Sequence, residues 1–567
     1  MSNIDFFILF STLLFISLYG AYKNFSHKSI KSYFLGDNKM SWGTVGISVM
    51  LTQATAITFL STPGQGFASG MSFIQNYFGL PLALIVVCIF FIPTYFNSKV
   101  TTAYEYLEQR FDLKTRILTS FLFLLQRGFQ CGLTIYAPSI ILTTILGWNL
   151  SLTIICVGIL VIIYTVIGGS KAVSFTQKQQ MVVILIGMLF VFYFLINKLF
   201  VYTTFNESLQ LAGVFNKTNA ISFSFDPSER YTVWTGLLGG FFLSLSYFGT
   251  DQSQVLRYIN AKNIDQSRMG LVFNAILKIP MQFFILLLGV LLFVFYLFYT
   301  PPIHFNKNVL EQFRSSNTET LNSFELSHEK LYNERKDLIN DFLENDDELI
   351  KEKLSVIILE KSQQLDDQKN ELEKLMVSSG GELKNSESDY VFISFILDYL
   401  PVGFIGLLLA VIFSAAMSST SAEITALSSI STIDFYKRLI NNNSKEIQYI
   451  KYSKLFTLFW GLLSIIFALT LVTSENLIES INIVASLFYG NILGIFLVAF
   501  FTKKVNSSNV FYAAILSQLL VLILFILSKS SILQIGYLWF NLIGGCITII
   551  LSIIFYKINE YFNYSSK

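Results

Sequence analysis

Hydroxyl side chains are concentrated in one otherwise apolar stretch that begins near residue 401. They are Ser414, Ser418, Ser419, Thr420 and Ser421. Hydroxyl and carbonyl oxygens are hard ligands that suit a hard cation such as Na⁺. Ser418 follows Ala415 by three residues, so on a helix the Ser418 hydroxyl and the Ala415 carbonyl can face the same ion. Small and hydroxyl residues also let membrane helices pack closely, and composition alone leaves both interpretations open.

Charged side chains inside apolar segments form a second set of candidates, because a charge inside a membrane is costly and usually serves a function. Arg127 lies well inside an apolar segment, next to Gln126. A guanidinium can bind a carboxylate through two parallel hydrogen bonds, so Arg127 could bind an anionic solute. It could equally form a structural ion pair with Glu423 or Asp251.

The elements that must position these residues are membrane-spanning helices. The chain has 567 residues, of which 53% are hydrophobic and 13% are charged, whereas about 25% of the residues in a soluble domain are charged. Apolar runs of about 20 residues span a bilayer as helices. The sequence therefore predicts an all-α integral membrane protein with about 13 transmembrane helices. They lie near 4–22, 42–62, 72–96, 117–146, 149–168, 179–200, 233–255, 272–299, 401–432, 453–473, 477–501, 509–528 and 532–556.

Lysine and arginine residues are distributed unevenly over the short loops between these spans. The loop after the first span holds Lys23, Lys28, Lys31 and Lys39, and later alternate loops are also basic, including the one with Lys171 and Lys178. Basic loops remain in the cytoplasm. The pattern predicts a multi-pass protein of the cell (inner) membrane with its N-terminus outside and its C-terminus in the cytoplasm.

Residues 302–399 differ from the rest because they are strongly charged. Apolar residues recur at approximately helical spacing within 330–375, which predicts a helical hairpin or a short coiled coil. By the orientation above, this insertion is extracytoplasmic. The sequence leaves open whether it gates transport or binds a partner of unknown kind.

Several function classes are disfavoured. No GxxxxGK[ST] phosphate loop is present, which argues against an ATP-driven pump. The only histidines, His27, His304 and His328, lie in loops, so a metalloenzyme site inside the spans is not expected. No basic cluster indicates a nucleic-acid partner. The sequence predicts a protein that is not an enzyme and has no organic cofactor, and whose partners are a small-molecule solute and the lipid bilayer.

The hydroxyl-rich stretch and five further segments resemble the sodium:solute symporter family, in family order over roughly residues 30–500. The segments are GLLLAVIFSAAMSSTSAEITALSSISTIDFYKR (406–438), YFLGDNKMSWGTVGISVMLTQATAITFLSTPGQGF (33–67), TAYEYLEQRF (102–111), IIYTVIGGSKAVSFTQKQQ (162–180), YFGTDQSQVLRYINAKN (247–263) and LKIPMQFF (277–284). The chain looks most like the branch with monocarboxylate, vitamin and iodide transporters, and is similar to sialic acid transporters.

The resemblance implies a LeuT-type fold with two inverted repeats of five helices each. In this layout, residues 1–41 are an additional N-terminal span with a cytoplasmic loop, and 42–200 are the first repeat. Residues 201–301 begin the second repeat, 302–399 are the insertion, 400–501 complete the second repeat, and 502–567 are additional C-terminal spans.

The resemblance also implies a sodium site. Its ligands by motif match are the hydroxyls of Ser418 and Ser419 and the backbone carbonyls of Ala415, Leu51 and Ala54. The last two carbonyls require a broken helix, although no glycine or proline marks a break in LTQATAITF.

A second family sodium site is in doubt because Gln177 stands where the family has an aspartate. Ser421 matches a ligand of that site, but Ala422 replaces another hydroxyl. The resemblance therefore favours one Na⁺ per cycle. Glu423 could supply a substitute carboxylate, or could instead pair with Lys278.

For the solute, the resemblance points to both broken helices and their neighbours. The candidate substrate-binding residues are Gln53, Thr55, Thr58, Gln75, Arg127, Tyr247 and Phe248. The predicted function is a sodium-coupled symporter that imports a small polar or anionic organic solute by alternating access. A Na⁺-independent or proton-coupled transporter of the same fold and a membrane sensor with a transporter-like core are the alternatives.

Overall fold

The computed structural model describes residues 2–22, 33–34, 40–379, 386–471 and 475–565, and these residues are almost entirely helical. An isolated parallel bridge between Met40 and Ala261 is the β-type pairing in them. The α-helices are α1 (Asn3–Tyr22), α2 (Trp42–Gln53), α3 (Ala56–Ser69), α4 (Leu80–Val86), α5 (Ile92–Ser98), α6 (Glu105–Arg110), α7 (Leu113–Leu146), α8 (Leu150–Leu199), α9 (Phe205–Val214), α10 (Gly240–Thr250), α11 (Gln252–Tyr258), α12 (Ile264–Phe298), α13 (Lys307–Ser316), α14 (Thr318–Glu344), α15 (Glu348–Ser378), α16 (Ser388–Tyr399), α17 (Phe404–Ile430), α18 (Glu446–Thr470), α19 (Leu477–Phe501), α20 (Ser507–Lys529) and α21 (Trp539–Ser565). Gly70–Tyr77 is a 3₁₀ helix, and Val87–Phe91, Thr235–Gly239 and Ser431–Ile440 are π-helical.

Nine helical stretches of the described residues are long and apolar enough to cross a membrane. Several expose apolar side chains at helical spacing, as Leu82, Ile85 and Ile89 do, which suits contact with lipid. The all-helical membrane class is therefore confirmed, while the count of thirteen spans stays a prediction. The predicted spans 149–168 and 179–200 both fall within α8, a single helix of 50 residues.

The lysines behind the predicted orientation are only partly within the described structure. Residues 23–32 and 35–39, which carry Lys23, Lys28, Lys31 and Lys39, lie outside the described residues. The same holds for the side chains of Lys171 and Lys178. The orientation stays a prediction.

The first helix break lies between α2 and α3, where the family resemblance implies one. Ala54 ends α2 with φ −85° and ψ 79°, and Thr55 is extended with φ −81° and ψ 177°. The Thr55 hydroxyl accepts a hydrogen bond from the Ile57 N–H at 3.1 Å, which satisfies one of the free amides at the start of α3. A threonine N-cap therefore produces this break in place of glycine or proline.

A second break separates α10 from α11 at Asp251, whose φ is −77° and ψ 120°. The Asp251 carboxylate caps α11 by accepting from the Ser253 N–H at 2.8 Å and the Ser253 hydroxyl at 2.6 Å. A carboxylate is also favoured at this position by the positive end of the α11 dipole. In both interrupted helices, the second half thus follows directly after an N-capping residue.

Helices α3 and α12 approach closely at glycines. A Cβ on Gly66 would lie 2.4 Å from the Leu286 carbonyl oxygen, and one on Gly289 would lie 2.1 Å from the Pro63 carbonyl oxygen. Both neighbours are backbone atoms, which cannot turn aside as a side chain can. The absence of side chains here lets the helix that follows the first break pack against α12.

We expect Gly66→Ala to lower the stability of the protein by about 1–3 kcal/mol, because the added methyl forces α3 away from α12. Thermal unfolding of the purified protein in detergent would measure the loss. Gly43→Ala, at a position with no heavy atom within 4 Å of the new Cβ, is the control and should change stability little. Equal stability of the two variants would contradict the close packing.

The insertion is built mainly by α14 and α15, which pack together as the predicted helical hairpin. Buried apolar residues line the contact, including Leu321 and Ile339 on α14 and Ile358 and Leu372 on α15. Asp347 begins α15 by accepting a hydrogen bond from the Leu349 N–H at 2.9 Å. Residues 380–385 of the insertion lie outside the described residues.

Candidate functional site

A cavity of about 90 Å³ is lined by residues of both interrupted helices. Its walls come from α2, α3, the 3₁₀ helix, α7, α10, α17 and α19. The lining residues are Thr52, Gln53, Thr55, Thr58, Asn76, Tyr77, Arg127, Gln130, Leu243, Ser244, Tyr247, Glu423, Ile478, Ile481, Asn482, Ala485 and Tyr489. Polar side chains with apolar residues between them suit a small polar solute better than a purely apolar one.

Five of the seven predicted substrate residues line this cavity: Gln53, Thr55, Thr58, Arg127 and Tyr247. Gln75 does not, because its side chain donates to the Tyr231 carbonyl at 2.8 Å and accepts from the Ser222 N–H at 3.0 Å. These bonds hold the loop before the second broken helix. Phe248, the residue after Tyr247, is fully buried and does not line the cavity either. Substrate binding by the five lining residues stays a prediction.

Arg127 forms a buried ion-pair network. Its Nη1 donates to Glu423 Oε1 at 3.1 Å, and its Nη2 donates to Asp251 Oδ2 and to the Tyr489 hydroxyl at 2.7 Å. Tyr489 in turn donates to Asp251 Oδ2 at 2.6 Å. Arg127 is 2% exposed. Both structural pairings that the sequence allowed are present at once, and Arg127 still lines the cavity.

Glu423 and Tyr489 line the cavity without being among the predicted substrate-binding residues. The sequence left Glu423 open as an ion ligand or as a partner of Arg127 or Lys278, and in the structure it pairs with Arg127 and accepts from the Thr134 hydroxyl at 2.9 Å. Tyr489 lies on α19, in a stretch without a recognisable motif. A glutamate in the middle of an apolar helix was the available signal for Glu423, and no sequence feature distinguished Tyr489 from the other aromatic residues.

The predicted sodium ligands lie on α17 and at the end of α2, two helices that pack against each other. Ala415, Ser418, Ser419, Leu51 and Ala54 are all buried. Ser419 donates to the Ala415 carbonyl at 3.0 Å and to the Ala416 carbonyl at 3.1 Å, whereas the buried Ser418 Oγ has no hydrogen-bond partner among the described residues. Because α2 ends at Gln53, the Leu51 carbonyl also lies at the break. The donor set is oxygen-only, which fits a hard cation such as Na⁺.

Gln177, which replaces the family aspartate, is hydrogen-bonded to a neighbouring helix. Its Oε1 accepts from the Ser48 hydroxyl at 2.7 Å, so it joins α8 to α2. The Ser421 hydroxyl has no hydrogen-bond partner in the described part of the chain. A neutral amide engaged in this way supports the prediction of a single sodium site.

A second cavity of about 380 Å³ is lined by residues such as Gln65, Arg230 and Glu479. Polar contacts join α3 to α19 beside it. Gln65 donates to Glu479 at 3.4 Å and accepts from Asn476, and Arg230 pairs with Glu479 at 3.2 Å. This vestibule lies next to the insertion, because Ser386 and Ser388 also line it.

Asp389, on α16 outside the nine apolar stretches, ties three elements together beside the vestibule. Its carboxylate accepts from the Ser61 hydroxyl and from the Leu477 N–H at 3.2 Å, which caps α19. Burial raises the pKa of Asp389 to about 7, against the lowering effect of these hydrogen bonds. In an unfolded chain its pKa would be about 3.9.

We expect stability to fall as pH rises from about 4 to about 7. A carboxyl whose pKa is raised by folding binds more protons when folded, so its stabilising contribution is complete below about 4 and is lost by about 7. Asp389→Asn should flatten the dependence of Tm on pH in this window. Asp398→Asn, on the exposed part of the same helix, should leave it unchanged. An unchanged slope in Asp389→Asn would contradict the assignment.

Comparison with known proteins agrees with this geometry. A profile of the sodium:solute symporter family matches residues 33–318 and 380–517. The structure resembles a solved one described as the substrate-bound, outward-open state of a Na⁺-coupled sialic acid symporter, with a TM-score of 0.74 and 23% sequence identity over 98% of each chain. The fold is therefore shared along nearly the whole length.

Two relatives illustrate the range of similarity. The chain is 30% identical over 272 residues to sodium-coupled monocarboxylate transporter 2 of Mus musculus, a match that covers 47% of this chain and 44% of the transporter. It is 25% identical over 527 residues to the sodium/sialic acid symporter SiaT of Proteus mirabilis, covering 92% and 89% of the two chains. The match to the mouse protein thus spans less than half of that protein's length.

The family match extends over more than half of the chain, and the multi-pass helical structure agrees with it along its length. Members of the family are transporters, so the prediction that the protein is not an enzyme is confirmed. The chain belongs to the sodium:solute symporter family.

Proposed function

We propose that this protein is a sodium-coupled symporter that imports a small polar organic solute by alternating access. The observation that carries the proposal is the cavity lined by residues of both interrupted helices. Interrupted helices expose carbonyls and amides at the depth where transporters of this kind bind their substrates.

Na⁺ would be held by the hydroxyls of Ser418 and Ser419 and by the carbonyls of Ala415, Leu51 and Ala54. These residues belong to α17 and to the end of α2. A bound ion would therefore join two helices that are far apart along the chain. Thr52, Gln53 and Thr55 at the same break line the cavity. An ion that fixes the break therefore also fixes part of the solute site, and the coupling is a difference in affinity between conformations.

The two repeats of a LeuT-type fold would be residues 42–200 and 201–501, with 302–399 inserted in the second. In support, each of these segments has its interrupted helix as its first long helical element, α2–α3 in one and α10–α11 in the other. Corresponding interruptions in the two halves are typical of transporters built from repeats. The insertion would be extracytoplasmic, the N-terminus outside and the C-terminus in the cytoplasm of the inner membrane.

The outer gate would be formed by the contacts that Gln65 and Arg230 make with Asn476 and Glu479 at the start of α19. In support, Gln65 on α3 bonds Glu479 and Asn476 at the start of α19, and Arg230 pairs with Glu479 beside the vestibule. Opening toward the outside requires these hydrogen bonds and ion pairs to exchange for water. The vestibule offers that water an entry route.

Thermal stability of the purified protein against a panel of small solutes, in Na⁺ and in K⁺, tests the proposal. We expect Na⁺ alone to stabilise the protein and at least one solute to add stabilisation only when Na⁺ is present, because ligands that bind the folded state raise Tm. Equal stabilisation by the solute in K⁺ would favour the Na⁺-independent or proton-coupled alternative. Uptake into proteoliposomes with an imposed Na⁺ gradient would then measure transport itself.

A further inference from the structure

The charge of the central cavity bears on which solute the proposed symporter takes. Arg127 and Glu423 are the charged residues among those that line it. Sequence alone left open whether Arg127 binds an anionic solute or forms a structural ion pair. The structure shows whether its guanidinium has donors left for an anion.

The guanidinium of Arg127 is already occupied by protein acceptors. Nη1 donates to Glu423, and Nη2 donates to both Asp251 and Tyr489. The buried Nε is without a partner in the described part of the chain. A bidentate grip on a solute carboxylate needs two parallel N–H groups, and each such pair on Arg127 includes a nitrogen that is already engaged.

The network around Arg127 carries one positive and two negative formal charges, which leaves a net charge of −1 beside the cavity. Glu423 is the part of this excess that reaches the cavity wall. Lys278 and Arg257 are further buried cations. The Lys278 ammonium lies 5.7 Å from the centroid of the Tyr77 ring, and neither residue lines the cavity. A charge excess in a buried site is costly, and it is relieved by a partner of opposite charge or by protonation.

The rest of the wall also suits a positively charged hydrogen-bond donor. Tyr77, Tyr247 and Tyr489 contribute aromatic rings, and ring faces attract ammonium groups. Gln53 Oε1 and Asn76 Oδ1 are buried acceptors that have no donor among the described residues. Both residues line the cavity, so an ammonium group there would meet a carboxylate, aromatic faces and unsatisfied oxygens together.

We propose that the cavity binds a small solute that carries an ammonium group, such as an amino acid zwitterion or a quaternary amine, in preference to a simple monocarboxylate. This inference rests on the proposed function, since the cavity is the solute site of that symporter. The ammonium group would compensate Glu423 and the Arg127 network. A solute with only a carboxylate would add a negative charge to the wall that Glu423 occupies and would leave the coupling Na⁺ as the cation that offsets it.

Isosteric probe pairs separate charge from size. We would compare l-alanine with l-lactate, l-proline with cyclopentanecarboxylate, and choline with 3,3-dimethyl-1-butanol, at up to about 10 mM, above common KM values of about 1 mM. The readout is the Tm of the full-length purified protein in Na⁺ and in K⁺. We expect at least one ammonium-bearing member to raise Tm with an affinity at least about tenfold higher than that of its partner.

Equal or stronger stabilisation by the members without an ammonium group would overturn the inference, and so would the absence of a shift with every ammonium-bearing probe. Failure of the proposed function has a different result, namely stabilisation by a probe to the same extent in K⁺ as in Na⁺. A carboxylate-only solute that stabilises only in Na⁺ would leave the symporter proposal standing and remove this one.

A substitution at the wall adds an independent test. Glu423→Gln removes the excess charge with little change in shape, and we expect the preferred ammonium probe to lose at least about tenfold in affinity. Glu325→Gln, in an exposed pair of the insertion, should keep the wild-type preference. If Glu423→Gln instead weakens stabilisation by Na⁺ alone and leaves the probe preference intact, Glu423 serves the ion and the inference is wrong. The wild-type probe comparison decides the question if this variant does not fold.

Discussion

Replacing Ser418 with alanine is expected to weaken Na⁺-dependent stabilisation and uptake strongly while the protein still folds. The Ser418 hydroxyl is buried and has no hydrogen-bond partner among the described residues. Its removal therefore breaks no protein contact and leaves no partner unsatisfied. Loss of one polar contact to a charged ligand costs about 1.5–3 kcal/mol, which corresponds to roughly ten- to hundredfold weaker Na⁺ binding.

Ser429→Ala is the matched control for this prediction. Ser429 is a fully buried serine on the same helix, and its hydroxyl donates to the Ala426 carbonyl at 2.8 Å. Its replacement should leave the Na⁺ titration unchanged. Titration of Tm with Na⁺ at constant ionic strength measures both variants. A Ser418→Ala protein with wild-type Na⁺ affinity would show that the ion binds elsewhere and would remove the sodium site proposed for α17.

Arg127→Ala is expected to be the most destabilising of the substitutions considered, with a loss of about 3–5 kcal/mol. The guanidinium compensates Asp251 and Glu423, which are 1% and 2% exposed. Without it, two carboxylates are buried together with no cation between them. The resulting repulsion should separate the second helix break from α17, so solute binding should be lost as well.

A surface pair provides the comparison for Arg127. Arg314 and Glu325 form an ion pair in which the side chains are 44% and 35% exposed. Arg314→Ala should therefore lower the stability of the protein by less than about 1 kcal/mol. Combining Arg127→Met with Asp251→Asn and Glu423→Gln should recover part of the stability lost in Arg127→Ala, because this network then contains no charged residue. Thermal and chemical unfolding of the four proteins measures the series. Similar stability of Arg127→Ala and Arg314→Ala would contradict the network.

The interrupted helix at residues 53–56 was implied by the family resemblance, whereas its local cause became visible only in the structure. The family pattern implied a break in LTQATAITF, although this segment contains neither glycine nor proline. The structure supplies the local cause, because Thr55 caps α3 with its own hydroxyl. Threonine also occurs inside helices, where its hydroxyl bonds to the backbone of the preceding turn. The presence of a threonine therefore does not by itself determine whether a helix stops there.

Gln75 illustrates the opposite case, in which a plausible candidate is engaged elsewhere. Its polar amide near the cavity suggested solute binding, yet the amide bonds Ser222 and Tyr231, about 150 residues later in the chain. Gln53 and Thr58, chosen by the same reasoning, do line the cavity. The difference depends on which long-range partner each amide or hydroxyl meets.

The sequence by itself determined the membrane-spanning helical class, the family and the stretch of hydroxyls on α17, because these depend on composition, periodicity and local motifs. Only the tertiary structure decided the state of Arg127, whose partners Asp251 and Glu423 lie 124 and 296 residues away. Charge compensation in a buried site is a property of groups brought together by packing. The sequence therefore left an anion site and a structural ion pair equally open for Arg127, whereas the assembled network shows both ion pairs and carries a negative excess.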